Sequence, residues 1–341
     1  MKARSVSRML ATMAVLCTFG TSLVSADNTT DPAGFVSVSV PARSDAVLAV
    51  PLYRAPVFHG GIQSISGNVI TLSSAPDWTS NAFVKGAIPS QNDSFAVLIA
   101  TGSKEGMIAK VTANGTNTLT LEFDLGDSLD EVKTEALNPG AADQIDIMPY
   151  WTPRSLLGPT LAAGTQVLLF PTNQSGINID AQVTLTKASD AWLNGTADAD
   201  HMPLFFGQGF VLRNETHAAQ VIKMVGTVPM AMHRYVLKKN SAAGAAQDIR
   251  IGYSSPVPEA IGNVHLGFTA GDQLLVFDNG ANGKNKSAMA TLVYNGTAWY
   301  RGATNVSASF QLQPGQGYVF RRAPAAPAGN TTWVTIQSYL Q

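Results

Sequence analysis

The sequence predicts an all-β chain of antiparallel sandwiches or small barrels, with an N-terminal β domain followed by two duplicated β modules. Three observations predict it. Short runs alternate between apolar and polar residues, as in Val36-Ser37-Val38-Ser39-Val40, Leu119-Thr120-Leu121-Glu122-Phe123 and Ala181-Gln182-Val183-Thr184-Leu185. A period of two puts alternate side chains on opposite faces of a strand. Asn-Gly steps begin at residues 114, 194, 279, 282 and 295, and Asn-Gly tolerates the positive φ angles of tight hairpin turns. Finally, one segment recurs in the second half of the chain.

The N-terminal segment 1–26 reads as a secretory signal. Lys2, Arg4 and Arg8 form a positive start, Met9 to Phe19 is mostly apolar, and Val24-Ser25-Ala26 offers small residues for cleavage before Asp27. The apolar run is too short to span a bilayer, which takes about 20 residues, so no transmembrane anchor is expected after cleavage. Cys17 is the only cysteine and lies inside this segment. The mature chain is therefore expected to have no disulfide and no thiol chemistry.

An N-terminal β domain is expected over residues 27–145. Ile65 to Leu72 and Val111 to Leu121 each read as strand, Gly/Asn turn and strand, hairpins of the kind that build a small barrel. One short helix is expected near 128–137. Ser128-Leu-Asp-Glu131 reads as a capping box, the nearby acids suit a helix N-terminus, and Asn138-Pro-Gly140 would stop it.

The repeat sets the remaining boundaries. Gly164-Thr-Gln-Val-Leu-Leu-Phe170 matches Gly271-Asp-Gln-Leu-Leu-Val-Phe277, and Trp192 and Trp299 follow at the same spacing. Gly195 and Gly302 come next, and Gly207-Gln-Gly-Phe-Val-Leu-Arg213 matches Gly315-Gln-Gly-Tyr-Val-Phe-Arg321. Module 1 is thus expected over 146–250 and module 2 over 251–341. The Gly-Gln-Gly steps read as turns, with Arg213 and Arg321 on the exposed face of the following strand.

Four segments carry a resemblance: Val50-Pro-Leu-Tyr-Arg-Ala-Pro56, Ile147-Met-Pro-Tyr-Trp-Thr152, Gly271 to Phe277, and Pro314-Gly-Gln-Gly-Tyr-Val-Phe-Arg-Arg322. The layout resembles an uncharacterised family of exported, β-rich bacterial proteins with no assigned activity. The resemblance covers nearly all of the mature chain. It implies export and a β-rich fold, and carries over no catalytic residue.

Chemistry is sparsely marked. Without Lys2, Arg4 and Arg8, 19 of the 22 basic residues stand against 23 acidic ones, which does not suit a nucleic-acid partner. The five histidines, His59, His201, His217, His233 and His265, show no metal-ligand spacing. Asp198-Ala-Asp200-His201 is the densest metal candidate, yet a solvated loop explains it better. Asp278 to Gly283 faintly resembles a calcium loop, but the twelfth position is Met289 where a Glu would close the site. No Gly-x-Ser-x-Gly elbow and no P-loop occur; a triad of distant residues is left open. No catalytic, cofactor or metal residue is therefore assigned. Among the tryptophans, Trp192 and Trp299 read as core plugs, while Trp78, after Pro76-Asp77, is the candidate for stacking on a ligand.

The function expected on these grounds is a non-catalytic structural or surface-assembly protein of the bacterial envelope, located in the periplasm, at the cell surface or outside the cell. Self-association is the expected partnership. A carbohydrate-binding protein with a glycan partner is the alternative, and a secreted hydrolase comes after it.

Overall fold

The alternating segments pair as strands in the computed structural model, which describes residues 32–341 apart from Ser90, Asp124, Leu125, Pro159, Asn173 and Ala243, and only the backbone of His265 and Leu266. The expected signal, residues 1–26, lies outside the described residues. Among the described residues no helix is long and apolar enough to cross a membrane.

β1 (Ala33–Val40) and β2 (Ser44–Leu48) come first. Six strands then close a barrel: β3 (Phe58–Ser66), β4 (Val69–Leu72), β5 (Phe95–Ile99), β6 (Ile108–Asn114), β7 (Thr118–Glu122) and β8 (Gln144–Pro149). Their order around the barrel is β3-β4-β7-β6-β5-β8, all antiparallel. The two expected hairpins are β3–β4 and β6–β7. Their alternation points Ile62, Ile70, Leu119 and Leu121 inward, where they meet Val97, Ile145 and Ile147. Each such side chain contributes about 1.5–3 kcal/mol when fully buried.

The short helix is α1 (Pro153–Leu157), not the expected segment at 128–137. Thr152 caps it: the Ser155 backbone N–H donates to Thr152 Oγ1 (3.2 Å), and the Thr152 N–H donates to Ser155 Oγ (2.9 Å). Pro153 fits the first helical position because it lacks only an N–H that has no partner there. At 128–137 the helix fails for a local reason. Glu131 has a φ of 71°, in the left-handed region that an L-residue helix cannot include. Ser128 Oγ accepts from the N–H of Asp130, two residues on (3.3 Å), so it closes a side-chain turn and does not cap a helix.

After α1 come β9 (Gln166–Leu169), β10 (Val183–Lys187), β11 (Trp192–Asn194), β12 (Ala197–Asp198), β13 (Phe210–Asn214) and β14 (Gln220–Thr227). With β2 they build a six-stranded sheet, β12-β11-β10-β9-β13-β2, and a separate β1–β14 ribbon. The chain continues through β15 (His233–Lys239), β16 (Gln247–Gly252), β17 (Glu259–Ala260), β18 (His265–Leu266), β19 (Gln273–Val276) and β20 (Ala290–Tyr294). It ends with β21 (Trp299–Arg301), β22 (Thr304–Asn305), β23 (Gln311–Leu312), β24 (Gly317–Arg322) and β25 (Gly329–Thr335). The second sheet is β22-β21-β20-β19-β24-β16, with β15, β25 and β18 as its companion ribbon.

The two sheets thus share one strand order. The strands β9 to β12 recur as β19 to β22 at a constant shift along the chain, their first residues moving from 166 to 273, 183 to 290, 192 to 299 and 197 to 304. Hydrogen bonding runs across the boundaries expected at 145/146 and 250/251. β2 pairs with β13, while β15 and β16 pair with β25 and β24. The barrel therefore lies, in chain order, between two strands of the first sheet.

The halves meet through reciprocal contacts. Arg213 grips Asp45 with two hydrogen bonds (2.8 and 2.9 Å), and its Nη2 also donates to Asn285 Oδ1 (2.7 Å). Arg321 grips Asp248 likewise (2.6 and 2.9 Å) and reaches Asn178 Oδ1 (3.2 Å). Each asparagine comes from the opposite half and sits in the left-handed region, at φ 53° for Asn178 and 48° for Asn285. Each donates its own N–H back to the same aspartate, at 2.8 and 2.7 Å. The arginines are therefore not on an exposed face as expected: their side chains are 18 % and 22 % accessible.

The Gly-Gln-Gly steps complete this exchange. The Ala49 N–H donates to the Gly315 carbonyl (2.9 Å) and the Gly252 N–H to the Gly207 carbonyl (2.8 Å). A Cβ on Gly209 would lie 2.7 Å from the Ile251 carbonyl oxygen, and one on Gly317 2.6 Å from that of Leu48. Only glycine allows the two backbones to come this close.

Alanine at Gly209 or Gly317 is expected to lower the unfolding free energy by about 1–3 kcal/mol through steric strain. Arg213→Met and Arg321→Met, which strand a nearly buried carboxylate, are expected to lower it by about 3 kcal/mol. Urea denaturation measures both, and losses below about 0.5 kcal/mol would contradict the close contact.

Candidate functional site

The residues singled out in the sequence serve mainly as structural supports. Trp78 is half-buried at the barrel, edge-on to Phe58 (5.0 Å) and to Phe83 (4.9 Å). Its backbone N–H donates to the Thr116 carbonyl (3.1 Å). Trp192 and Trp299 are fully buried at equivalent places in the two sheets.

Asp200 belongs to the turn beneath Trp192. Its Oδ1 accepts from the Trp192 N–H (2.8 Å) and its Oδ2 from Arg154 (2.6 Å). Burial pushes its carboxyl upward, but the Trp192 and Arg154 bonds outweigh this and hold it below the usual range. In the second half Ser307 Oγ accepts from the Trp299 N–H (2.9 Å). Asp198 and Asn305 likewise accept from the N–H of Asp200 and Ser307. The two loops use different residues for one turn, which accounts for acids in the first copy alone.

At Asp278, the side chain accepts from the N–H groups of Gly280 (2.8 Å) and Ala281 (3.2 Å). The ammonium of Lys286 donates to the Asp278 and Ala281 carbonyls, so a side-chain cation already sits against this loop. The acids near 122–131 are dispersed: Glu122 pairs with Lys110, Asp127 with Arg234, and Asp130 with Ser128. Among the described residues no group of three or more His, Cys, Asp or Glu could hold a metal ion. The shortest histidine–acid contact among them, His59 Nδ1 to Asp146 Oδ1 at 2.6 Å, lies on the barrel wall with the His59 side chain 58 % accessible.

The four segments that carry the family resemblance meet in pairs. Trp151 Nε1 donates to the Leu52 carbonyl (2.8 Å) and Arg54 Nη1 to the Tyr150 carbonyl (3.1 Å). Leu274 of β19 lies opposite Phe320 of β24.

Close to the first pair, His233 is fully buried. Its Nδ1 lies 3.2 Å from Tyr53 Oη, and its ring stacks on Tyr235 at 6.0 Å. Burial pulls its pKa down to about 4, opposed by the Ser254 backbone. The folded state therefore keeps it neutral, while the unfolded chain takes up a proton near 6.5.

The best candidate for an interaction surface is the β1–β14 ribbon. The alternation of β1 turns Val36 and Val38 toward the core beside Ile222 and Met224. The same alternation puts Phe35, Ser37 and Ser39 on the outer face, opposite Val225, Lys223 and Val221. Phe35 is 74 % and Val225 60 % accessible. Among the described residues β1 pairs with β14 alone, so its other edge has no strand partner. The alternation of the valines is visible in the sequence. The bare edge beside them is set by pairing with β14, which lies far along the chain and which no local pattern reveals. Comparison of the chain with protein-family models, with curated proteins and with solved structures gave no match.

Stability is expected to be unaffected by His233 above pH 6.5, to fall as the pH drops from 6.5 toward 4, and to level off below. The whole loss from this group is about 3 kcal/mol. His233→Gln should flatten the pH dependence of urea unfolding by that amount. An unchanged profile would show that the imidazole is not held neutral.

Proposed function

We propose that this protein is an exported, non-catalytic structural protein of the bacterial envelope or outer surface, and that it assembles with further copies of itself. The observation that carries this reading is the second edge of β1, which has no strand partner among the described residues. The strand is Ala-Gly-Phe-Val-Ser-Val-Ser-Val, eight residues with no charge and no proline. Soluble β proteins guard long edges with lysine, proline, bulges or covering loops, because the row of unpaired N–H and C=O groups templates another strand. β1 carries none of the protections that its own residues could supply, and Phe35 adds apolar area beside the edge. Pairing of β1 with β1 of a second copy would extend each ribbon to four strands and satisfy those groups.

Three further features fit this reading. The sheets with equal strand order and a constant shift along the chain are read as two copies of one duplicated module, with the barrel inserted into the first. Structural proteins are commonly built by such duplication. The segment 1–26 is read as an export signal, and the chain as a member of the exported β-rich family that its four segments resemble.

Light scattering on the protein purified from its exporting host tests the reading. The expected result is concentration-dependent dimers or larger assemblies for the wild type. Phe35→Lys with Ser39→Lys, both on the exposed row and opposite the uncharged Val225 and Val221, should give a monomer of unchanged stability. A wild type that stays monomeric, or a double variant that associates equally well, would overturn it. Mass spectrometry of the same sample should place the N-terminus at Asp27.

A further inference from the structure

The outer face of the first sheet carries a cavity of about 460 Å³. Its floor is the row Val47, Leu168 and Val211, contributed by β2, β9 and β13, which pair in register at these positions. Phe170 and Phe277 form part of its wall, and Arg250 of the second half lies over the Phe170 ring. The volume is within the range of small-molecule sites, roughly 300–1,000 Å³.

The three cations around the cavity differ in one respect. Arg213 is satisfied by Asp45 and Asn285, and Lys286 by two carbonyls. Arg250 lies with its guanidinium carbon 3.4 Å from the centre of the Phe170 ring. It is half-buried, and no carboxylate or carbonyl among the described residues takes a hydrogen bond from it. Desolvation lowers its pKa to about 10, opposed in part by Asp248. The nearest acids have other circumstances: Asp248 is held by Arg321, Asp45 by Arg213, and Asp180 stands exposed at the rim.

The two halves differ at this place. Asp45 corresponds to Asp248, and Leu48 to Ile251, through their matching contacts with Arg213 and Arg321 and with Gln316 and Gln208. Arg250 therefore corresponds to Val47. Valine meets the needs of the interface at that place, so an arginine there is not required by packing. Its desolvation is unfavourable unless something offsets it.

We propose that this cavity binds a small organic carboxylate with an apolar body, its carboxylate on Arg250 and its hydrocarbon on the Val47, Leu168 and Val211 floor. A planar carboxylate matches the paired N–H groups of a guanidinium. One free cation suits one negative charge. A phosphate dianion would place its second charge near Asp45 and Asp180 with no cation left for it. The site is independent of the β1 edge and of the assembly read from it.

Calorimetric titration of the full protein with octanoate and with 1-octanol, its neutral counterpart, tests the site. Octanoate should bind about tenfold to a hundredfold more tightly than octanol, the ordinary gain of a charged hydrogen bond. Arg250→Met keeps an unbranched chain over Phe170 and should erase that preference, with octanol affinity unchanged. The wild-type comparison needs no variant and stands even if Arg250→Met unfolds. Equal affinities for the two probes, no binding of octanoate, or a preference that survives in Arg250→Met would each overturn the proposal.

Discussion

Asp45 and Asp248 each organise four groups: both arms of an arginine on a neighbouring strand, a loop N–H from the opposite half, and, through that loop, a second acceptor for the arginine. An isolated surface ion pair contributes about 0–1 kcal/mol. These two are nearly buried, bidentate and backed by backbone donors, so each aspartate would be costly to leave alone. The close approaches at Gly209 and Gly317 lie at the start of the strands that carry Arg213 and Arg321, so both contacts belong to one junction. The same residues, Asp45, Arg213, Asn178 and Asn285, line the Arg250 cavity.

Elsewhere the two halves solve one problem with different chemistry. In the first, Gln220 Nε2 donates to Thr165 Oγ1 (2.8 Å) and Asn214 Oδ1 (2.7 Å), a neutral network. At the corresponding place in the second, Arg322 donates to Asp272 (2.7 Å), a pair only 2 % and 0 % accessible. Either arrangement pairs the buried charged or polar side chains with one another, although Arg322 Nε is left without a hydrogen-bond partner among the described residues. The loops under Trp192 and Trp299 vary in the same way, an aspartate in one and a serine in the other. Features that looked chemical in one copy become structural once its counterpart is seen.

Much of the fold was legible in the sequence. Period-two runs located the strands, Asn-Gly steps located the β6–β7, β11–β12 and β20–β21 turns, and the anchors from Gly164 and Gly271 located two like sheets. The helix was misplaced because Ser128 and Glu131 matched a capping pattern while the backbone at Glu131 adopts positive φ; Thr152-Pro-Arg-Ser155 held the true cap. The partners of Arg213 and Arg321 were missed because they come from distant strands. A signal did exist: Gly176-Ile-Asn178 and Gly283-Lys-Asn285 recur at the same shift as the rest. The candidate surfaces were less legible. The exposure of Phe35 and the unpaired state of Arg250 depend on which strands lie beside them, and pairing over such separations leaves no local pattern.

The central claim is that the reciprocal Asp–Arg–Asn contacts make the two halves one cooperative unit although each has its own core. Hydrogen exchange under increasing urea, followed in peptides covering Val167–Leu169 and Leu274–Val276, tests this most directly. One opening free energy with one urea dependence in both peptides is the predicted result. Two distinct opening energies, with one sheet exchanging while the other stays protected, would show that the halves unfold separately and that the junction does not bind them.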